Sequence, residues 1–241
     1  PKTKAIVPVH LFGRAANMEA IMAIAKEYNL YVIEDNAQAI GANCKFSDGT
    51  KKKAGTIGHV GATSFFPSKN LGCYGDGGAI FTNDDALAHK LRGIVNHGMY
   101  ERYHHDVVGV NSRLDSIQAA VLNAKLPLLD EYGRARQDAA RKYSAAFEGH
   151  KNIVAPSICD ICDCHVFHQY TLRIIDADRN GLMQHLLEKG IPCAIYYPIP
   201  LHSQKAYADS RYKEEDFPVT NQLVTEVLSL PMHTELDDEQ I

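Results

Sequence analysis

The chain has 241 residues, 45% of them hydrophobic and 22% charged, enough apolar material for one large or two small buried cores. Its formal net charge of −4 supplies no basic field for a polyanionic backbone, which excludes nucleic acid as the expected partner. No apolar run approaches the roughly 20 residues a membrane-crossing helix needs, and the first residues lack the apolar core of a signal peptide, so the expectation is a cytoplasmic protein with no membrane partner.

Residues 6–9 read as a buried strand. It follows almost directly on Pro1, with no initiator Met, so the chain is expected to be a fragment truncated at its N-terminus. Met18, Ile21, Met22 and Ala25 recur at helical spacing behind Asn17, a residue suited to capping. Residues 31–33 form a second strand that ends at Glu34-Asp35, completing a βαβ unit whose strands are expected to be parallel. Ligands gather at the carboxyl ends of strands in open α/β sheets, so an acid there is better placed for a site than for packing.

Residues 62–66 read as another strand, followed by the glycine-rich 72–78 segment and a strand over 79–82. Asp84-Asp85 opens a helix through Leu87, Leu91 and Ile94, and Leu114, Ile117, Val121, Leu122 and Leu126 form a further helical stripe. A charged helix over 128–147 begins a change in composition. Beyond it come a strand over 169–174, a helix stopped at Gly190 and a strand over 194–197. The predicted division is a large domain over residues 1–130 and a smaller α+β domain over 131–241.

Two residues carry the chemistry. A strand-end carboxylate such as Asp35 can hold a proton on a pyridine ring nitrogen, making the ring an electron sink. A lysine amine such as Lys69 can hold an aldehyde as an imine and then act as a base beside the carbon to be deprotonated. Each alone is ordinary, because strand-end aspartates usually cap turns and surface lysines are usually solvated.

Their context is more specific. Tyr31-Val-Ile-Glu-Asp35-Asn-Ala-Gln38, Gly58-His-Val-Gly61-Ala-Thr-Ser64-Phe-Phe-Pro-Ser-Lys69-Asn-Leu-Gly72 and Tyr74-Gly-Asp-Gly-Gly78 resemble the DegT-type sugar aminotransferases, a branch of the fold-type I enzymes that use pyridoxal 5'-phosphate (PLP). The resemblance covers nearly the whole chain. It implies a three-layer α/β PLP-transferase domain with a mainly parallel sheet, like that of aspartate aminotransferase, and PLP as cofactor. By the same resemblance Asp35 contacts the pyridine nitrogen, Gln38 lies by the ring and its 3′-oxygen, Ser64 contacts the phosphate and Lys69 forms the Schiff base. Asn111, in Gly109-Val-Asn111-Ser-Arg113, looks like the residue that reaches the cofactor phosphate of a neighbouring subunit, implying a homodimer with shared sites. An alternative is that Asn111 and Arg113 cap the following helix.

Tyr196-Tyr197-Pro-Ile-Pro-Leu-His202 is similar to a family segment facing the sugar, so Tyr197 and His202 are substrate candidates, with Arg113 and His97 beside them; a structural role for His97 stays open. The implied reaction moves an amino group from glutamate to a nucleotide-linked keto sugar, with UDP-linked 3-keto N-acetylhexuronates favoured, in surface-polysaccharide sugar biosynthesis. One rival is a sugar dehydratase, which in this family carries His in place of the lysine; Lys69 argues against it. Another is a relative that keeps the fold for binding or regulation.

The six cysteines of a chain without an export signal are expected to be reduced thiols. Cys159, Cys162, Cys164, His165 and His168 have ligand-rich spacing that suits zinc, but the resemblance places an interdomain loop and strand start there, and no metal is expected. The glycines of 72–78 lack the G-x-G-x-x-G pattern and lead into a strand, so they are read as a tight turn near Lys69 and not as a nucleotide loop.

Overall fold

A computed structural model describes residues 2–158 and 164–241. The chain divides into two units. The first runs to Gln137 and takes back the chain as far as His168; the second comprises Asp138–Ile158 and Gln169–Ile241. The division falls inside a helix, not at the 130/131 position read from composition.

The first unit contains β1 (Ala5–Ile6), α1 (Met18–Tyr28), β2 (Tyr31–Asp35), β3 (Asn43–Lys45), β4 (Lys51–Lys53), β5 (Val60–Ser64), β6 (Gly78–Phe81), α2 (Asp85–Val95), β7 (Met99–Glu101), β8 (His104–His105), α3 (Ser116–Lys125) and the start of α4 (Leu129–Ala146). Helix α1 begins where Asn17 accepts a hydrogen bond from Ala20 N–H, and it ends at Asn29 in the left-handed conformation. Asp84 caps α2 in the same way, accepting from Leu87 N–H.

The sheet has the order β1-β2-β5-β6. β1 and β5 both run parallel to β2, with Ile6 opposite Val32 and Asp35 opposite Ala62. β6 is antiparallel to β5, with Ser64 opposite Gly78. The sheet is therefore mixed, because the link from β5 to β6 is a turn without the crossover helix that a parallel return requires. Side chains alternate across it. Val32 and Glu34 face inward, where Val32 joins Met18, Ala25, Ala39, Ala42, Cys44 and Ala54 in a core; a second cluster gathers Phe65, Leu71, Cys73 and Leu122. Ile33, Asp35, Ala62, Ser64 and Ile80 share the other face, on which Ile33 and Ile80 are exposed.

In the second unit β10 (Tyr170–Ile174) lies between β9 (Ile153–Val154) and β11 (Val227–Leu230), both antiparallel to it. Two helices, α5 (Arg179–Glu188) and α6 (Pro218–Glu226), complete it. Tyr170, Leu172 and Ile174 alternate inward along β10. Tyr170 bonds Ser144 Oγ at 2.8 Å and packs on Tyr143, whose hydroxyl donates to Pro231 O at 3.1 Å. On the outward side Arg173 pairs with Glu226 at 2.7 Å.

Strand bounds differ from expectation. The strand placed at 62–66 lies at Val60–Ser64, and the predicted 194–197 strand is reduced to one bridge between Ala194 and Ser229. Pro192, Pro198 and Pro200 flank that segment and cannot donate to a ladder. The hairpins β3–β4 and β7–β8, with α6 and β11, carry no apolar alternation that announced them.

Leu172 is 2% exposed and sits opposite Leu228. Leu172→Ala is expected to lower unfolding free energy by about 2–5 kcal/mol, measured by urea titration of the full-length protein, whereas Val154→Ala at the exposed sheet edge changes it by less than about 1.5 kcal/mol.

Candidate active site

The site is built where β2 and β5 end side by side. Asp35 N–H donates to Pro8 O at 2.9 Å and Asp35 O accepts from His10 N–H at 3.0 Å, so the strand end is held by the segment after β1. Asp35 Oδ1 accepts from Ala37 N–H at 3.0 Å, which sets the carboxylate direction. Gln38 Oε1 accepts from Phe12 N–H at 2.6 Å. Phe12 takes φ +60°, a left-handed conformation that favours glycine, and the turn it makes aims this N–H at Gln38. Ser64, at the end of β5 on the same face as Asp35, accepts from Phe66 N–H at 3.2 Å.

Lys69 stands in the turn between β5 and β6. Phe65 N–H donates to Gly77 O, Cys73 N–H to Phe65 O, and Lys69 N–H to Phe66 O, all within 2.9 Å. A Cβ at Gly72 would lie 2.4 Å from Pro67 O, so only glycine fits this close approach. Lys69 is half-buried. Burial pushes its amine below the ordinary lysine range, and the Asp35 carboxylate pulls it partly back. Among the described residues no hydrogen bond or ion pair engages the Lys69 amine.

Behind Lys69, Asn70 is buried, donates to Val166 O at 3.0 Å and lies 3.2 Å from His168 Nδ1. Burial, then the positive charges of Lys69 and Arg136, push His168 down to about 4, so it is neutral near pH 7. Arg136 donates to Phe167 O at 3.0 Å, and burial lowers its guanidinium to about 10.

Asn111 bridges Asn96, and with Arg113 it lines a hollow of about 1160 Å³ beside β6 and α2 that does not include Asp35, Gln38, Ser64 or Lys69. Helix α3 begins after Asp115, so neither Asn111 nor Arg113 caps it. His97 has φ +60°; its N–H donates to Val110 O and its carbonyl accepts from the His105 ring, both at 2.9 Å. In the second unit Tyr197 is exposed, while His202 lies 2.9 Å from Asn221 Oδ1 and stacks on Phe217. Of the cysteine–histidine cluster, Cys159 and Cys162 lie outside the described residues. His165 accepts from Phe167 N–H and stacks on the Phe167 ring, and no metal-holding group of three ligands occurs among the described residues.

The DegT/DnrJ/EryC1/StrS aminotransferase family model matches residues 1–241. The chain belongs to this family. A Geobacillus stearothermophilus protein named pleiotropic regulatory protein is 49% identical to it over 99% of this chain and 63% of its own length. The Pseudomonas aeruginosa UDP-2-acetamido-2-deoxy-3-oxo-D-glucuronate aminotransferase is 47% identical over 100% of this chain and 64% of its own. The crystal structure of S. venezuelae DesV, in complex with a ketimine intermediate, superposes with a TM-score of 0.91 at 39% identity, covering 100% of this chain and 62% of that one. The chain thus spans less than two thirds of these relatives, and within that span it has the family's mixed sheet with helices.

A family member's PLP needs an amine free of other bonds, a carboxylate facing it and phosphate donors. Lys69 has such an amine, the Asp35 carboxylate is near enough to raise its titration, and Ser64 offers one hydroxyl at the adjoining strand end, so these residues suit the ring end of the group and one phosphate contact. Residue patterns overlooked His10 and Glu34, whose role depends on the face that Glu34 takes, and Asn70, whose burial beside Lys69 no periodicity marks.

Because Asp35 holds the Lys69 proton on while burial drives it off, Asp35→Asn is expected to lower the Lys69 titration midpoint further. Reductive methylation with ¹³C-formaldehyde and an NMR pH titration of the labelled amine check this; an unchanged or raised midpoint contradicts the coupling.

Proposed function

We propose that the protein is a PLP-dependent aminotransferase that moves an amino group from glutamate to a nucleotide-linked keto sugar. UDP-linked 3-keto N-acetylhexuronates are the favoured acceptors, in line with the Pseudomonas aeruginosa relative's name. Surface-polysaccharide sugar biosynthesis in the cytoplasm is the setting; no helix among the described residues is long and apolar enough to cross a membrane. The observation that carries the reading is Lys69, a half-buried amine with a depressed pKa, without another partner and under the influence of Asp35.

When bound, PLP supplies an aldehyde and a ring that accepts electron density. Lys69 would hold that aldehyde and then move the proton at the substrate carbon, a task suited by an amine titrating below the ordinary lysine range. Asp35 keeps a proton on the ring nitrogen. Gln38, its amide oriented through Phe12 N–H, would support the ring, and Ser64 would donate to the phosphate. By the family resemblance Asn111 would serve the site of a second copy in a homodimer, and Arg113, His97, Tyr197 and His202 would be the residues to test for substrate binding.

A second reading is a regulatory protein that keeps the site without turnover, favoured by the name of the 49% identical relative. One experiment separates the two. Full-length protein with PLP is expected to show a visible band that glutamate bleaches as 2-oxoglutarate forms, and Lys69→Ala to lose turnover by about 10²–10⁴-fold. Undiminished turnover in Lys69→Ala removes Lys69 from the mechanism. A bound, coloured wild type that never converts glutamate supports the regulatory reading.

A further inference from the structure

Glu34 is fully buried on the covered face of β2, one residue before Asp35. It accepts four hydrogen bonds, from His10 Nε2 at 2.8 Å, Gly55 N–H at 2.7 Å, and Ile57 and Gly58 N–H at 2.6 Å each. Burial alone would raise its carboxyl, yet the bonds from His10, Gly58, Gly55 and Ile57 hold it below the ordinary range, so it is an anion at neutral pH. His10, also fully buried, accepts Ala16 N–H on Nδ1 at 3.0 Å. Its proton therefore sits on Nε2 and is donated to Glu34. The pair is a carboxylate and a neutral imidazole, and no lysine or arginine among the described residues reaches it.

This anion ties three segments together. His10 begins the turn that sends its own N–H to Asp35 O and Phe12 N–H to Gln38. Residues 55–58 lead into β5, whose end carries Ser64, and they pack so closely that a Cβ at Gly61 would lie 1.9 Å from Gly55 O. β2 itself carries Asp35 on the opposite face.

We infer that Glu34 and His10 are positioning residues: from behind the sheet, the carboxylate–imidazole pair sets the strand end and the turn that present Asp35 and Gln38. This rests on the aminotransferase reading for its catalytic consequence, though not for its geometry.

Glu34→Gln, His10→Gln and His10→Leu in the full-length protein test it, with the core variant Met18→Ala as a control for general destabilisation. The first readout needs no cofactor: amide hydrogen exchange at Phe12 and His10, the donors to Gln38 and Asp35. Exchange there is expected to quicken by at least about tenfold in Glu34→Gln and His10→Leu. His10→Gln, which replaces the Nε2 donor, restores protection. Met18→Ala, matched in thermal loss, leaves these two amides slow relative to the rest of the unit.

The second readout uses the PLP-loaded protein. In Glu34→Gln, kcat is expected to fall roughly ten- to a hundredfold with KM little changed. Unchanged exchange at Phe12 and His10, or equal change in Met18→Ala, overturns the inference. If Glu34→Gln does not accumulate, the two His10 variants decide it. A wild type without a visible band defeats the proposed function, while the exchange measurement still decides the positioning.

Discussion

The register of β2 against β5, with Asp35 opposite Ala62, is the constraint on which the rest of the first unit depends. Strand side chains alternate, so this pairing sends Val32 and Glu34 into the core and Ile33 and Asp35 to the open face. A slip of one residue would exchange the two acids, burying Asp35 and stranding Glu34 outside without its donors. The same register sets Ser64 beyond Asp35 on the neighbouring strand end, and the Lys69 turn begins directly after it. Close packing holds the register: Gly58 lies against Val32 O and Gly61 against Gly55 O, so that neither position has room for a side chain.

Lys69 gains its chemistry from a balance. Complete burial would strip the amine of its proton at the cost of folding stability, and full exposure would leave it an ordinary cation. Half-burial beside Asp35 places it between these limits. The residues behind it preserve the balance. His168 is close enough for its titration to respond to Lys69, but burial keeps it neutral and so adds no competing charge. Asn70 ties His168 and Val166 to the lysine turn, connecting residues almost a hundred positions apart in sequence.

Helical periodicity and capping residues were legible in the sequence: Met18 and Ala25 do face the core behind Asn17, and Asp84 does open its helix. Short strands were not. β4 is three consecutive lysines with no apolar alternation, and β11 has all four residues buried, so a period of two never appears. Asp35 and Lys69 could be picked out from their motif, and the Asp35 carboxylate is near enough to raise the titration of the Lys69 amine. Glu34 stands beside Asp35 at the same strand end, and which of the two faces the core depends on a register that the linear sequence does not display. His10 meets Glu34 across 24 residues, a pairing that only the folded strand order creates.

A carboxylate at position 34 is not the cheapest way to fill that space. Burying an ion costs several kcal/mol even after relaxation, while each hydrogen bond to a charged group returns roughly 1.5–3 kcal/mol. Four such bonds offset that cost, yet a well-packed apolar residue of similar volume is often as stabilising as a buried ion with its partners. What an apolar residue cannot supply is direction. Its contacts would tolerate small rotations of the 55–58 turn and of the segment from His10 to Ala16, whereas four hydrogen bonds to one carboxylate admit a single arrangement. The inward acid thus converts burial into orientation, and the outward acid one residue later inherits it.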